Sequence, residues 1–208
     1  MKNSLKIMAL IILLITASGC SLTKKSSTET SATTNAFTDQ NSATAMTTTQ
    51  ANLAKAKVAA ASWHPDATWV ALNFNVPADL NPKSLSQTFV FGSGSDTNNW
   101  FTYSIDTSEK FVRAVIPKSD FLGIDLQPIA ETYWKTNYIS ALQTAYANGG
   151  NAFIAKSPET QVTLTLSQNP PKNWLWYLIT FQAANDAQKI RISANDGKIY
   201  DDQGNLSK

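Results

Sequence analysis

The sequence has few of the residues that most enzymes use for catalysis. Its 208 residues include one histidine, His64, and one cysteine, Cys20. A lone cysteine cannot form a disulfide within the chain, so the fold must be stable without cross-links. No Gly-x-Ser-x-Gly motif for a nucleophilic serine is present, and one histidine is too few for the common zinc sites. We therefore expect a protein without catalytic residues, a bound metal ion or a cofactor.

Two clusters of polar residues are explained more simply by turns than by catalysis or metal binding. His64 and Asp66 stand on either side of a proline, which is typical of a helix end followed by a turn. Asp196, Asp201 and Asp202 lie near the C-terminus, but their spacing does not match a calcium-binding EF-hand loop. We interpret the first cluster as a turn and the second as a hairpin turn with a solvated tail.

The N-terminal segment has the layout of a signal peptide. Residues 1–19 begin with a positive charge and continue through an apolar stretch at 5–15, which is short for a membrane span. The Ala-Ser-Gly-Cys sequence that follows resembles the lipobox of bacterial lipoproteins. The resemblance implies that the Cys20 thiol is acylated, for example with palmitate, and anchors the mature chain to a membrane of the cell envelope. Ser21 resembles the default signal for the outer membrane in Gram-negative bacteria, where the protein would face the periplasm.

The mature chain is expected to carry no net charge. The full sequence has 17 basic and 15 acidic residues, and loss of Lys2 and Lys6 with the signal peptide leaves 15 of each. A nucleic-acid-binding protein normally concentrates basic residues on one surface, and no such concentration is visible in the sequence. We therefore expect no nucleic-acid partner.

The segment after the cysteine is rich in serine and threonine. Residues 20–46 show no hydrophobic period, which predicts a disordered tether with an r.m.s. span of about 30 Å. Such a tether would hold a folded body away from the membrane surface.

The remaining chain predicts two similar units, 47–125 and 126–208. The first begins with a helix in which Leu53, Ala54, Val58 and Ala61 follow a helical period. The second begins with a helix over 137–147, ended by two glycines. The helical period of the second unit places Ile139, Leu142, Ala145 and Tyr146 on one face of the helix. Runs with strand-like composition follow at 67–76, 88–93, 100–105 and 110–117, and at 161–167, 174–182, 189–194 and 198–200.

The motif Asn-Trp-x-x-Tyr-x-Ile occurs at 99–105 and again at 173–179, which favours one unit copied and diverged. Alternate residues of a strand face opposite sides, so the tryptophan and the tyrosine of each motif lie on opposite faces of the sheet. The face with Trp174 and Trp176 is apolar and must be covered by the other unit, or it forms an exposed aromatic binding surface. Trp100 is the matching candidate in the first unit.

The two units resemble the PepSY domain. The stretches that carry the resemblance are 60–67, 99–103, 140–145, 174–177 and 193–199. The resemblance implies an α+β fold of two cystatin-like units, each with a helix packed on a three- to four-stranded antiparallel sheet. It also implies a role in binding or restraining peptidases at the cell surface, without catalytic residues.

The leading hypothesis is a membrane-anchored, non-catalytic lipoprotein that binds or regulates an envelope protein, for example by restraining a peptidase. One alternative is a structural scaffold for an envelope complex. Another is a carrier that holds a small apolar ligand in the cleft between the two units. An enzyme is the last alternative and would depend on His64.

Overall fold

The computed structural model describes residues 39–76, 85–106, 108–120, 126–169 and 172–207, with side chains from Thr44 onward. These residues belong to one compact unit, Ala32–Lys208. None of the helices in these ranges is both long and apolar enough to cross a membrane. The predicted signal peptide, Cys20 and most of the predicted tether lie outside the described residues.

The described part of the chain forms three α-helices and eight strands. In chain order they are α1 (Asp39–Trp63), β1 (Thr68–Val76), β2 (Ser86–Gly92), β3 (Asn99–Ile105), β4 (Phe111–Pro117), α2 (Tyr138–Ala145), α3 (Asn151–Lys156), β5 (Gln161–Asn169), β6 (Trp174–Gln182), β7 (Ala187–Ser193) and β8 (Ile199–Tyr200). A short 3-10 helix covers Glu131–Tyr133, and a π turn, Tyr146–Gly150, joins α2 to α3. Each strand-like run of the sequence corresponds to one of these strands.

All eight strands join in one antiparallel sheet with the order β4-β3-β2-β1-β5-β6-β7-β8. The two central strands, β1 and β5, pair from Ala71 opposite Ser167 to Val76 opposite Val162. The predicted fold class, two repeated units that each pack a helix on a separate small sheet, is therefore wrong. The reason is that β1 and β5 satisfy each other's free backbone groups, which fuses the strands of both halves into one sheet.

The same pairing corrects a second expectation. The two halves of the sheet lie side by side, so neither half covers the face of the other. Any cover for the tryptophans must come from loops or from side chains of the same half. The predicted cleft between two units is likewise absent from the described residues.

The helices pack on one face of the sheet, which we call the helix face. Its strands contribute alternate large side chains, because period-2 alternation puts every second residue on this side. The fully buried members include Leu72, Phe74, Phe89, Phe91, Leu164, Leu166, Leu175, Tyr177, Ile179, Phe181 and Ile192. In α2, Ile139, Leu142, Ala145 and the following Tyr146 are buried, as the sequence predicts.

The stripe predicted for α1 is wrong apart from Leu53. The helix begins at Asp39, eight residues before the expected start, and buries Leu53, Ala56, Ala59 and Ala60. Val58, by contrast, has 71% of its side chain exposed. Alanine is frequent on every side of this helix, so hydrophobic period alone does not identify the packed side.

The connection between β4 and α2 passes from the opposite face, which we call the open face, around one end of the sheet. Leu126 packs on the open face, and the Ile129 N–H then donates to the Trp69 carbonyl at 2.9 Å. Trp134 reaches the helix face, where its indole N–H donates to the Tyr177 hydroxyl at 2.6 Å. This route places Tyr133 at the sheet end where β6 begins and β7 ends.

Candidate functional site

The three tryptophans predicted to form a binding surface lie in two separate places. Trp100 is in β3 and is 6% exposed, whereas Trp174 and Trp176 are in β6, with three strands between β3 and β6. Trp176 is 2% exposed and Trp174 is 42% exposed. Of the three, only Trp174 offers substantial surface to a ligand.

Trp100 is part of a small core on the open face. It packs with Val70, Val90, Leu126 and Ile116. The Lys118 ammonium lies 4.1 Å from the centre of its ring system, at a distance typical of a cation–π contact. These neighbours leave little of Trp100 accessible, so its role is structural.

Trp174, Trp176 and Tyr200 form an aromatic cluster on the open face. The two indoles are 5.5 Å apart between ring centroids, and Tyr200 contacts both edge-on, at 5.7 and 5.3 Å. Such offset and edge-on pairs each contribute about 0.5–1.5 kcal/mol beyond the area that they bury. Tyr200 was not predicted to belong to this site. Pairing of the β7 and β8 runs as a hairpin would have placed it opposite Arg191.

Two cations complete the cluster. The Lys172 ammonium lies 4.8 Å from the centre of the Trp174 ring and donates to the Gly204 carbonyl at 2.7 Å. The Arg191 guanidinium lies 5.8 Å from Trp176 and donates to the Asp201 carbonyl at 2.9 Å. Because both cations also bond to the C-terminal segment, that segment helps to fix the cluster in position.

A pocket of about 520 Å³ opens beside this cluster, and we call it the Trp174 pocket. Its walls come from the 3-10 helix, the β5–β6 turn, the β7–β8 turn and β8. It is lined by Tyr133, Gln168, Lys172, Asn173, Trp174, Leu175, Ser193, Asn195, Asp196 and Tyr200. Aromatic surface and hydrogen-bonding side chains therefore meet in one concave site of the size that small ligands occupy.

The wall at the β5–β6 turn has an unusual backbone. Lys172 and Asn173 both have positive φ angles, 67° and 51°. Asparagine tolerates this left-handed region, but for lysine the conformation is unfavourable by about 1 kcal/mol. The bond from Lys172 to Gly204 helps to offset this strain. Residues in this region of φ are often found at functional sites, and both of these line the pocket.

Asp196 is the carboxylate of the pocket lining. Partial burial raises its pKa, but hydrogen bonds from the Lys198 backbone N–H and from the Ser193 and Tyr200 side chains outweigh that effect, so the pKa lies below its ordinary value. The Tyr200 hydroxyl donates to Asp196 Oδ2 at 2.9 Å. At neutral pH the pocket therefore offers an ionised carboxylate that can accept hydrogen bonds from a ligand.

His64 does not belong to this pocket. Its Nε2 atom is 4.0 Å from Asp96 Oδ2, which is beyond hydrogen-bond distance. The neighbouring Asp66 accepts hydrogen bonds from the hydroxyls of Ser93 and Ser95 at 2.6 and 3.1 Å. The hydrogen bond from Ser93 is the largest of the effects that lower the pKa of Asp66. The helix ends at Trp63 and a turn follows, as the sequence predicts, and Asp66 also holds the turn between β2 and β3 through these bonds.

In the described ranges, no group of three histidine, cysteine, aspartate or glutamate side chains is arranged to hold a metal ion. Cys20, the predicted lipidation site, lies outside those ranges. The predictions that the protein is not an enzyme and that Cys20 is acylated therefore remain predictions.

Comparisons with known proteins give little further guidance. No protein-family model matches the chain, so the PepSY resemblance has no support from that source. A search of curated proteins finds no significant match. Among solved structures, the chain resembles a Clostridium difficile 630 protein described as a "putative lipoprotein". The two share 14% identity over 72% of this chain and 90% of the other, with a TM-score of 0.45, a level of similarity that assigns no function.

Proposed function

We propose that this protein is a lipid-anchored, non-catalytic binding module of the bacterial cell envelope, and that its ligand occupies the Trp174 pocket. The anchor rests on the lipobox-like sequence that ends at Cys20. The ligand site rests on one observation: a tryptophan with 42% of its side chain exposed forms a wall of a 520 Å³ pocket. Large aromatic side chains left open in a concave site are typical of ligand recognition.

The lining indicates the kind of ligand. Trp174 and Tyr133 are both exposed and would cover an apolar part, with a gain of about 25 cal/mol for each Å² removed from water. Asn173, Asn195 and the Asp196 carboxylate supply donors and acceptors for a polar part. The pocket therefore suits a small amphipathic molecule or the end of a peptide, unlike the small apolar ligand of the carrier alternative.

The ligand-binding part of the proposal is tested by titration. The full-length protein in detergent is titrated with a panel of short peptides, oligosaccharides and fatty acids, and tryptophan fluorescence reports binding. We expect Trp174→Ala to weaken any binding at least tenfold. Val58→Ala is the control, because Val58 is an apolar residue with 71% exposure on α1 and lies outside the pocket. Equal affinity for Trp174→Ala and wild type would contradict the pocket as the ligand site.

The anchor is tested separately with Cys20→Ala. We expect the wild-type protein in the membrane fraction and labelled by palmitate, and the variant in the soluble fraction without label. The Trp174→Ala protein should behave like wild type in this assay. A Cys20→Ala protein that is still lipid-labelled would contradict acylation at this residue.

A restraining effect on a peptidase is the finer part of the proposal and rests on the sequence resemblance alone. It predicts that the purified protein slows a peptidase from the same envelope, and that Trp174→Ala removes the effect. A scaffold would instead co-purify with its partner from native membranes without changing the partner's activity.

A further inference from the structure

The two edges of the eight-stranded sheet differ in how they are protected. At one edge, β8 has two residues, and the C-terminal segment covers it: Tyr200 bridges to Leu206, and the Ser207 N–H donates to the Ile199 carbonyl at 2.9 Å. At the other edge, β4 has seven residues, and no described strand pairs with its outer side. Long unprotected edge strands are uncommon in natural proteins, because they invite pairing with another chain.

The register of β4 identifies which backbone groups are free. Asp106 N–H donates to the Lys110 carbonyl at 3.0 Å, and Lys118 N–H donates to the Asn98 carbonyl at 2.8 Å. The pairing of β3 with β4 continues without a shift between these two bonds. In an antiparallel pair, every second residue directs its backbone N–H and C=O groups toward the partner strand. Lys110 and Lys118 belong to the set directed toward β3. The N–H and C=O groups of Phe111, Arg113 and Val115 therefore point away from β3.

The side chains of β4 are unusually apolar for such an exposed strand. Phe111, Val112 and Val115 have 52%, 67% and 50% of their side chains exposed. Natural edge strands usually carry lysine or other charged residues at these positions, which prevent unwanted pairing. We call this strand, with its free backbone groups and exposed apolar side chains, the β4 edge.

Arg113 stands in the middle of the β4 edge and is its one charged residue. The guanidinium carbon lies 5.0 Å from the Phe111 ring centre and 5.9 Å from the Tyr103 ring centre. Among the described residues, no carboxylate lies within ion-pair distance of it. Lys110 and Lys118 add positive charge just beyond the two ends of the strand, with Glu109 and Asp120 flanking them.

A second copy of the protein meets a charge conflict at this edge in the register centred on Arg113. If two β4 strands paired through their free groups with Phe111 opposite Val115, the two-fold axis would place Arg113 directly opposite the Arg113 of the other copy. Like charges directly opposite each other destabilise a strand pair. An acidic residue at that position would be attracted instead, and apolar residues two positions away would cover Phe111 and Val115.

We propose that the β4 edge binds an extended peptide segment of a partner protein by strand addition, and that the segment carries an acidic residue opposite Arg113 with apolar residues at the next alternate positions on both sides. Backbone hydrogen bonds supply the general affinity in this mode, and alternate side chains supply the selectivity. The site is separate from the Trp174 pocket, which lies on the other half of the sheet.

The test uses two fluorescent nine-residue peptides and the full-length protein in detergent. Both peptides have isoleucine at alternate positions on either side of a central residue, which is glutamate in one and lysine in the other, with threonine elsewhere. We expect fluorescence anisotropy to show about tenfold tighter binding of the glutamate peptide. Arg113→Glu should reverse the preference, and this reversal cannot arise from misfolding.

Val115→Pro is a second variant that acts on the backbone. Because the Val115 N–H points away from β3, proline removes a donor for the added strand without removing a bond of the sheet. We expect at least tenfold weaker binding of the glutamate peptide and an unchanged melting temperature. Val58→Ala, which changes an exposed apolar residue of α1 outside both proposed sites, is the control and should bind the peptide like wild type. Equal affinity for the two peptides, no binding at 1 mM or full binding to Val115→Pro would overturn the proposal. A dimer in sedimentation experiments that Val115→Pro dissociates would also overturn it, because the occupant would then be a second copy.

Discussion

The two copies of the Asn-Trp-x-x-Tyr-x-Ile motif adopt the same strand geometry and end in different environments. In both strands the tyrosine and isoleucine face the helices and are buried, and the tryptophan lies on the open face. Trp100 is nevertheless 6% exposed and Trp174 is 42% exposed. The difference in tryptophan exposure therefore arises on the open face.

The difference lies in what covers the open face. Leu126, from the connection that follows β4, packs with Trp100, and Gly92 leaves room for its ring. A methyl group placed on Gly92 would come within 2.5 Å of that ring. Beside Trp174 the corresponding space is the pocket, and its cover consists of Tyr200 and the Lys172 side chain. The same motif therefore supports the fold in β3 and contributes to a candidate binding site in β6.

The largest expected effect is the difference in stability between two alanine variants. Trp100→Ala should lower the free energy of unfolding by about 3–5 kcal/mol, because it leaves a cavity in a packed cluster. Trp174→Ala should lower it by about 1 kcal/mol, because it loses only aromatic contacts at the surface. Urea denaturation followed by circular dichroism measures both values. Similar losses for the two variants would remove the distinction between a structural and an accessible tryptophan.

The structural role of Trp100 can also be tested through its close contact with Gly92. Gly92→Ala should destabilise the protein by about 1–3 kcal/mol, because the added methyl overlaps the Trp100 ring. In the Trp100→Ala background the same substitution should have almost no effect, as a double-mutant cycle in urea denaturation would show. Gly94→Ala is the control, because its added methyl would be in ordinary contact with Asp66. An undiminished effect of Gly92→Ala without the indole would argue against this packing.

The turns beside the two motifs can be compared by how much their aspartates, Asp96 and Asp196, stabilise the protein as the pH falls. Hydrogen bonds, first of all that from the Asn99 side chain, lower the pKa of Asp96 below the ordinary 3.8, and the Asp196 pKa is also lowered. A carboxyl group with a lowered pKa in the folded state stabilises the protein above the unfolded pKa, and this contribution is lost as pH falls through the folded pKa. The melting temperature should therefore be nearly constant between about pH 5 and 8 and fall below about pH 4.

Substitution of each aspartate by asparagine identifies which turn is responsible for the acid sensitivity. Asp96→Asn and Asp196→Asn should each have a lower melting temperature than wild type at pH 7, with a smaller difference near pH 3. A difference that does not depend on pH would show that the charge of that carboxylate contributes nothing.

The smallest expected effect concerns Tyr200→Phe. Loss of its hydroxyl removes the hydrogen bond to Asp196 Oδ2, so the Asp196 pKa should rise toward the ordinary 3.8. Stability should change by less than about 1 kcal/mol, because the bond is exposed to solvent. Carboxyl-detected NMR titration measures the pKa, with Asp106 as an internal control. An unchanged Asp196 pKa would mean that Tyr200 does not act on the carboxylate of the pocket.

Local patterns in the sequence were sufficient to predict the strands and the buried side of α2. Alternating aromatic and β-branched residues marked every strand, and Ile139 and Leu142 marked α2. The joining of the halves was not predictable in this way, because the choice of β5 as partner for β1 depends on contacts between residues about 90 positions apart. The uninterrupted apolar run Trp69-Val70-Ala71-Leu72 was the available signal of a strand buried on both faces.

The candidate site was predictable only in part. Strand alternation correctly placed the tryptophan and the tyrosine of each motif on opposite faces of their strand. Which of them is covered depends on the path of the connection through Leu126, and short-range patterns carry no information on that path. The contributions of Lys172 and Tyr133 to the pocket likewise follow from the tertiary structure.

The most direct test of the account is an NMR titration that follows the indole N–H signals of all six tryptophans. The full-length protein in detergent micelles is titrated with the strongest binder from the panel of peptides, oligosaccharides and fatty acids. We expect a large, saturable shift of the Trp174 signal, a smaller shift of the Trp176 signal and no shift of the Trp100 signal. A ligand that shifts the Trp100 signal and leaves Trp174 unchanged, or a panel without any effect on Trp174, would contradict the Trp174 pocket as the binding site.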